Sequence, residues 1–148
     1  MSKRPLYAGV MALAMPFTAH WEGLRTEAYL DQANIPTICY GETLGVKMGD
    51  KKTVAECNIL HRMRLGYFAW RVDLMVEPEM TDSQHAAFTS FSYNVGLNAF
   101  RESTLLKKLN NGDKAGACNQ LMRWVYIGKD ISNGLINRRK AERDLCLS

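Results

Sequence analysis

One short pattern occurs twice in this chain, at Thr53-Val54-Ala55-Glu56 and at Thr81-Asp82-Ser83-Gln84. A threonine hydroxyl accepts from the backbone N–H three residues on, and the Glu or Gln at that position accepts from the threonine's own N–H. Each pattern predicts a helix whose first turn is closed from both sides. Stop signals follow at helical distances, Glu77-Pro78 after the first start and Gly96 after the second. Ser103 predicts a cap for Thr104 to Leu109, Asn111-Gly112 a break, and Asp113 a cap for a helix reaching Val125. Asn133-Gly134 then leads into a last helix from about Leu135 to Leu145. A chain punctuated in this way beyond residue 53 is committed to packed helices.

The helix after Thr53 is the long one. Val54, Cys57, His61, Leu65, Phe68, Val72 and Met75 recur at three- and four-residue steps, and so do Leu60, Met63, Tyr67, Trp70 and Leu74. Two apolar stripes predict a helix covered on both sides, which suits a connector between two lobes. His61 lies inside a stripe and reads as a helix histidine, not a catalytic one. Upstream, Thr37 to Thr43 alternates and is rich in β-forming residues, while Met48-Gly49-Asp50 carries turn chemistry. The expected class is α+β and mostly helical, with a small hairpin lobe and a larger helical lobe joined by the long helix.

A chain of 148 residues, 47% hydrophobic and 23% charged, can bury a core of its own as one domain. Its net charge of +4 is dispersed, with short basic clusters only at Lys107-Lys108 and Arg138-Arg139-Lys140. Nucleic acid is therefore not an expected partner, while a mild positive excess favours approach to anionic envelope polymers. Cys39, Cys57, Cys118 and Cys146 include no C-x2-C pair and no histidine at ligand spacing, so no metal site is expected, and nothing asks for an organic cofactor. The four are either small buried hydrophobes or disulfides, and four cysteines allow three pairings. Cys39 with Cys57 would tie the small lobe to a helix start. Cys118 with Cys146 would join two C-terminal helices.

The chemistry sits earlier, between Glu22 and Thr37. Glu22 closes an apolar run, a setting that favours a protonated carboxyl able to act as a general acid. Asp31, beside the turn-forming Gln32-Ala33-Asn34, is expected to stay ionised and to act as a base toward water. Thr37 adds a hydroxyl six residues on. Two acids with divided roles are what glycoside hydrolysis needs.

The wider text agrees: Glu22-Gly23-Leu24-Arg25, Tyr29, Asp31, Pro36-Thr37-Ile38-Cys39-Tyr40-Gly41, Tyr93-Asn94-Val95-Gly96 and Arg123-Trp124 occur in that order. Together they resemble the phage-type lysozymes, the endolysin muramidases of glycoside hydrolase family 24. The resemblance implies a monomeric, inverting enzyme of the lysozyme-like fold, cutting the β-1,4 bond between N-acetylmuramic acid and N-acetylglucosamine in bacterial peptidoglycan for host lysis. In it Glu22 is the acid, Asp31 positions or deprotonates the water, and Thr37 holds that water. Thr43, Tyr93, Asn94 and Ser103 are the expected sugar contacts, and Arg138 or Arg139 is expected to reach Glu22. Trp124 reads as core. The family usually has Gly in place of Cys39 and His in place of Glu42, departures that leave the three catalytic positions intact. A periplasmic workplace, also implied, favours disulfides.

Two readings of the N-terminus stay open. Residues 5–21 carry no formal charge after Lys3-Arg4, yet as a helix they reach only about 25 Å, short of a hydrocarbon core of about 30 Å. They resemble the signal-arrest-release segment of some lambdoid phage endolysins, which tethers the enzyme to the inner membrane before release. Alternatively Met11 to Trp21 form only the apolar first helix packing on the core, and both hold if the segment anchors first and folds into the enzyme afterwards; the catalytic domain is counted from residue 22. A lytic transglycosylase, which relies on one acid, is disfavoured by Asp31 and Thr37. A silent peptidoglycan-binding protein and a membrane-disrupting one are the remaining alternatives, the latter disfavoured by a single short apolar segment.

Overall fold

The computed structural model describes residues 7–148, so the part of the anchor reading that rests on residues 1–6 lies outside the described residues. In order the elements are α1 (Ala8–Glu22), β1 (Arg25–Leu30), β2 (Pro36–Cys39), α2 (Val54–Met75), α3 (Asp82–Val95), α4 (Leu97–Glu102), α5 (Thr104–Asn110) and α6 (Lys114–Gln120). A 3-10 turn (Leu121–Arg123), a hairpin of β3 (Tyr126–Ile127) and β4 (Asp130–Ile131), and α7 (Asn133–Leu147) follow.

The capping signals act as expected. Thr53 Oγ1 accepts from Glu56 N at 3.1 Å while Glu56 Oε1 accepts from Thr53 N at 3.1 Å, and Thr81 and Gln84 repeat the exchange. Ser103 and Asp113 cap α5 and α6. Three boundaries differ. The helix capped by Asp113 stops at Gln120 instead of reaching Val125, because the chain tightens into the 3-10 turn and then pairs Tyr126 with Ile131. The last helix starts at Asn133, capped by Ser132, so Asn133-Gly134 lies inside its first turn. The small hairpin is formed by β1 with β2, pairing Tyr29 with Thr37 and Leu30 with Pro36. The turn at 48–50 instead brings Asp50 and Lys52 beside β1, through Ala28 N to Asp50 O at 2.9 Å and Lys52 N to Thr26 O at 2.9 Å.

Core packing runs through α3, which lies against α1, α2 and α7. Phe88, Phe91, Phe100, Leu105, Leu109 and Leu121 are fully buried around its C-terminal side, each contributing about 1.5–3 kcal/mol of burial. Val10 and Ala14 of α1 pack on Leu65, Ala69 and Ala86. Tyr7 Oη donates to Asp73 at 2.7 Å and fixes the start of α1 against α2. Disulfides join Cys39 to Cys57 and Cys118 to Cys146.

One expectation fails. Of the second stripe of α2, only Leu60 is half-buried, whereas Met63, Tyr67, Trp70 and Leu74 are exposed. The first stripe carries the buried residues Cys57, His61, Leu65, Phe68 and Val72, although Val54 at its start is exposed, and Leu60 alone of the second stripe packs on the hairpin-lobe core.

Candidate active site

Glu22 is the last residue of α1, where Gly23 returns its N–H to Ala19 O at 3.0 Å and the chain leaves for β1. Packing of α1 through Val10, Ala14 and Thr18 thus fixes where the carboxyl falls. Its surroundings are less apolar than the sequence suggests: the side chain is 18% exposed and Oε1 accepts from Arg138 Nη1 at 2.8 Å. Oε2 faces Gly41, where an added Cβ would stand 3.0 Å from it, and Gly41 has φ +84°. A residue with a side chain there would both strain the backbone and push the carboxyl aside.

Asp31 follows β1 at the tip of the first hairpin. Its Oδ1 accepts from Ala33 N at 2.8 Å and Ile35 N at 2.9 Å, while Asp31 N donates to Ile35 O and Asn34 N to Asp31 O. The side chain therefore builds its own turn. That leaves Oδ2 with no hydrogen bond among the described residues. Thr37 lies across the hairpin, buried, with its hydroxyl donating to Ile35 O at 2.8 Å. Only its lone pairs remain to receive a hydrogen bond.

Glu22 and Asp31 line the same cavity, of about 940 Å³. Trp21, Tyr29, Asn94, Trp124 and Tyr126 stand in its wall with Arg138 and Arg139. Trp124 both packs edge-on to Phe91, with ring centroids 5.3 Å apart, and lines the cavity, so the core reading covers only one of its faces. Of the expected sugar contacts, Asn94 lines the cavity and accepts from Arg139 Nη2. Thr43 is exposed away from that lining. Ser103 is buried as the cap of α5, donating to Phe100 O and accepting from Leu106 N. Tyr93 donates to Tyr40 O at 2.9 Å and lies 3.0 Å from Glu42 Oε1.

A buried ion network stands behind the acid. Glu142, fully buried on α7, accepts from Arg138 Nε at 3.3 Å, Arg139 Nη1 at 2.5 Å and Ser90 Oγ at 2.6 Å. Arg138 also donates to Ser90 O, and Arg139 to Trp124 O at 2.9 Å. Burial pushes the Arg139 pKa down and the Glu142 carboxylate opposes this. Of the two arginines proposed for Glu22, Arg138 makes the contact. Glu142 escaped the sequence reading because an acid at the third and fourth positions after two arginines looks like an ordinary solvated helix pair. On the hairpin side, burial pushes the Glu42 carboxyl up, opposed by its bond from Tyr93 and by Arg64, whose Nε is 3.6 Å away.

The profile of one family, described as phage lysozyme, matches residues 19–142. The chain belongs to the phage lysozyme family. It is 42% identical over 127 residues to the SAR-endolysin of Bacteriophage PS119, spanning 85% of this chain and 76% of that one. To the SAR-endolysin of Enterobacteria phage P21 it is 39% identical over 127 residues, 85% of this chain and 77% of that one. Among solved structures it is similar to the endolysin from Escherichia coli O157:H7 phage FAHEc1, with a TM-score of 0.84, 31% identity, and 99% of this chain and 96% of that chain covered. This phage lysozyme is thus a glycoside hydrolase, a muramidase of bacterial peptidoglycan, and its fold is the lysozyme-like one expected.

Proposed function

We propose that this muramidase cleaves the β-1,4 bond between N-acetylmuramic acid and N-acetylglucosamine with inversion at the anomeric carbon. The observation that carries the reading is the meeting of Glu22 and Asp31 in one cavity, each held by a different part of the fold. Glu22 gives its proton to the leaving glycosidic oxygen. Arg138 holds Oε1, so Oε2, against Gly41, is the oxygen that carries the proton. Water attacks the opposite face of the sugar and passes a proton to Asp31 Oδ2, while Thr37, buried and outside the cavity lining, steadies the turn that holds Asp31 by donating to Ile35 O. An inverting arrangement leaves roughly 6.5–9.5 Å between the carboxyl groups for the water.

Asn94 is the sugar contact that the lining supports best, with Tyr29 and Trp124 as apolar walls for the rings. Tyr93, Ser103 and Thr43 stand outside the cavity lining, and of the three only Tyr93 adjoins it in sequence, beside Asn94. The likeness to SAR-endolysins supports export to the periplasm with a transient inner-membrane tether through residues 5–21, after which α1 packs into the enzyme and the monomer is active. Among the described residues, no helix is long and apolar enough to cross a membrane.

The test is clearing of a suspension of Gram-negative peptidoglycan by the wild type, Glu22→Gln and Asp31→Asn, with the first product's anomer read by NMR. Each variant is expected to lose about 10²–10⁴-fold in rate and the first product to be the α-anomer. A β-anomer overturns inversion, an anhydro product makes the enzyme a transglycosylase, and undiminished turnover removes the substituted carboxyl from its role.

A further inference from the structure

Arg138 and Arg139 are neighbours on α7 and leave the helix about 100° apart, so their side chains reach different parts of the cavity. Arg138 Nη1 donates to Glu22 Oε1 at 2.8 Å. Arg139 Nε donates to Trp124 O at 2.9 Å, and its Nη2 donates to Asn94 Oδ1. One arm thus ends on the acid and the other on the wall that the sugar rings meet. Both arginines are buried, at 4 and 1% exposure. Glu142 follows them by four and three positions, the spacings at which one helix residue faces both. It gives each a separate oxygen: Oε2 accepts from Arg138 Nε at 3.3 Å and Oε1 from Arg139 Nη1 at 2.5 Å. Ser90 of α3 donates to Oε2 at 2.6 Å and holds the carboxylate itself in place.

A buried cluster of this kind is a weak device for stability alone, because desolvating its charges costs about as much as their attraction returns. Its outer ends, however, both lie in the cavity wall. An arginine has a long stem with many rotamers, and a carboxylate on its inner side fixes where its outer N–H groups point. The charge balance matters as well. Two arginines with one carboxylate present a single net positive charge behind Glu22, whereas without Glu142 they would present two. The larger charge would draw the proton off an acid that has to deliver it. On the reading of Glu22 as proton donor and Asn94 as sugar contact, we infer that Glu142 is a positioning residue of the reaction. Through Arg138 and Arg139 it sets the acid and the sugar-binding wall in one register, and it keeps the charge behind the acid low enough for Glu22 to hold its proton.

The experiment follows kcat/KM on soluble peptidoglycan fragments against pH, since that ratio reports the free enzyme. Glu142→Gln, Glu142→Asp, Ser90→Ala and Leu109→Ala are compared with the wild type, each rate corrected for the folded fraction. Glutamine has one oxygen for two arginines, so one guanidinium meets an amide N–H group. Glu142→Gln is expected to lower kcat/KM by about tenfold to 100-fold and to move the high-pH limb down by about one pH unit. Glu142→Asp keeps the charge but not the reach, so its rate falls while its limb stays. Ser90→Ala leaves every charge in place and is expected to lose about two- to tenfold with an unmoved limb. Leu109→Ala removes apolar volume from the core on α5 and leaves every polar group of the network standing, so it keeps the wild-type rate and limb. The other titratable or charged groups toward Glu22 are Glu42 after β2, Tyr93 of α3, and Tyr29, Asp31, Arg123 and Tyr126 in the cavity wall, and all stay unaltered. Wild-type rate and limb in Glu142→Gln overturn the inference, as does an equal change in Leu109→Ala. If Glu142→Gln does not fold, wild-type rates in both Glu142→Asp and Ser90→Ala overturn it. Undiminished turnover by Glu22→Gln would instead withdraw the acid itself, which separates that failure from this one.

Discussion

Glu22 and Glu142 bond to the same arginine but stand in different surroundings. Glu22 is partly exposed, and when it is neutralised Arg138 still has Glu142 and Ser90 O as partners. Glu22→Gln is therefore expected to abolish lysis while chemical denaturation places it within about 1 kcal/mol of the wild type. Glu142 is fully buried between two arginines, and Glu142→Gln leaves Arg139 without a counter-charge and Arg138 with Glu22 alone. That substitution is expected to cost about 3–5 kcal/mol by the same measurement. Gly41→Ala probes the other side of the acid. The added methyl meets Glu22 Oε2 at 3.0 Å in a backbone with φ +84°. Displacement of the acid is expected to lower kcat by about tenfold to 100-fold, and the strained backbone to cost about 1–2 kcal/mol. A Gly41→Ala enzyme with wild-type kcat would show that the carboxyl is not steered from this side.

At the scale of elements, the first hairpin illustrates what a sequence can and cannot announce. Cys39 has φ +61°, a conformation that favours glycine, yet its sulfur is bonded to Cys57 at the start of α2. The tie between hairpin lobe and connector thus works against a local backbone cost. Removing the disulfide as Cys39→Ala/Cys57→Ala is expected to cost about 2–4 kcal/mol. Cys39→Gly/Cys57→Ala should be less destabilised by about 1 kcal/mol, a difference that parallel thermal melts would resolve. Capping boxes were legible because both partners lie within four residues. That Glu22 and Asp31 share one cavity was legible through their spacing and the family text around them. The β3–β4 hairpin was not, because its strands are two residues each, although Gly128-Lys129 between Ile127 and Asp130 is the local signal, with Gly128 at φ +62° where a two-residue turn of that kind wants glycine. Nor was the fate of the two stripes on α2. Periodicity says that a face is apolar, and only the number of neighbouring elements decides whether anything covers it.

Across the whole molecule, two buried groups near the junction of the lobes give stability opposing pH dependences. His61 sits among Thr18 of α1, Tyr40 beyond β2 and Tyr93 of α3. Thr18 donates its hydroxyl to Ala14 O, so His61 Nε2 donates to Thr18 Oγ1 at 2.8 Å, and Nδ1 is buried with no partner among the described residues. A second proton on Nδ1 would have no acceptor, and burial lowers the His61 pKa from 6.5. The unfolded chain then binds the proton more readily, so the contribution of His61 is complete above about pH 6.5 and is lost as pH falls through the lowered folded value. For Glu42 burial raises the pKa from 4.5, with Glu22 adding to this and Tyr93 and Arg64 opposing it. Its contribution is complete below the ordinary carboxyl value and is lost as pH rises through the folded one. The two windows extend toward each other, one downward from 6.5 and one upward from 4.5, with opposite signs, so each offsets part of what the other does to the wild-type curve. Single variants separate them: between pH 7.5 and 5, the stability deficit of His61→Gln relative to wild type should shrink and that of Glu42→Gln should grow. Urea midpoints at four pH values suffice, and deficits that stay constant would mean that each group binds protons equally in the folded and unfolded chain, so that burial shifts neither.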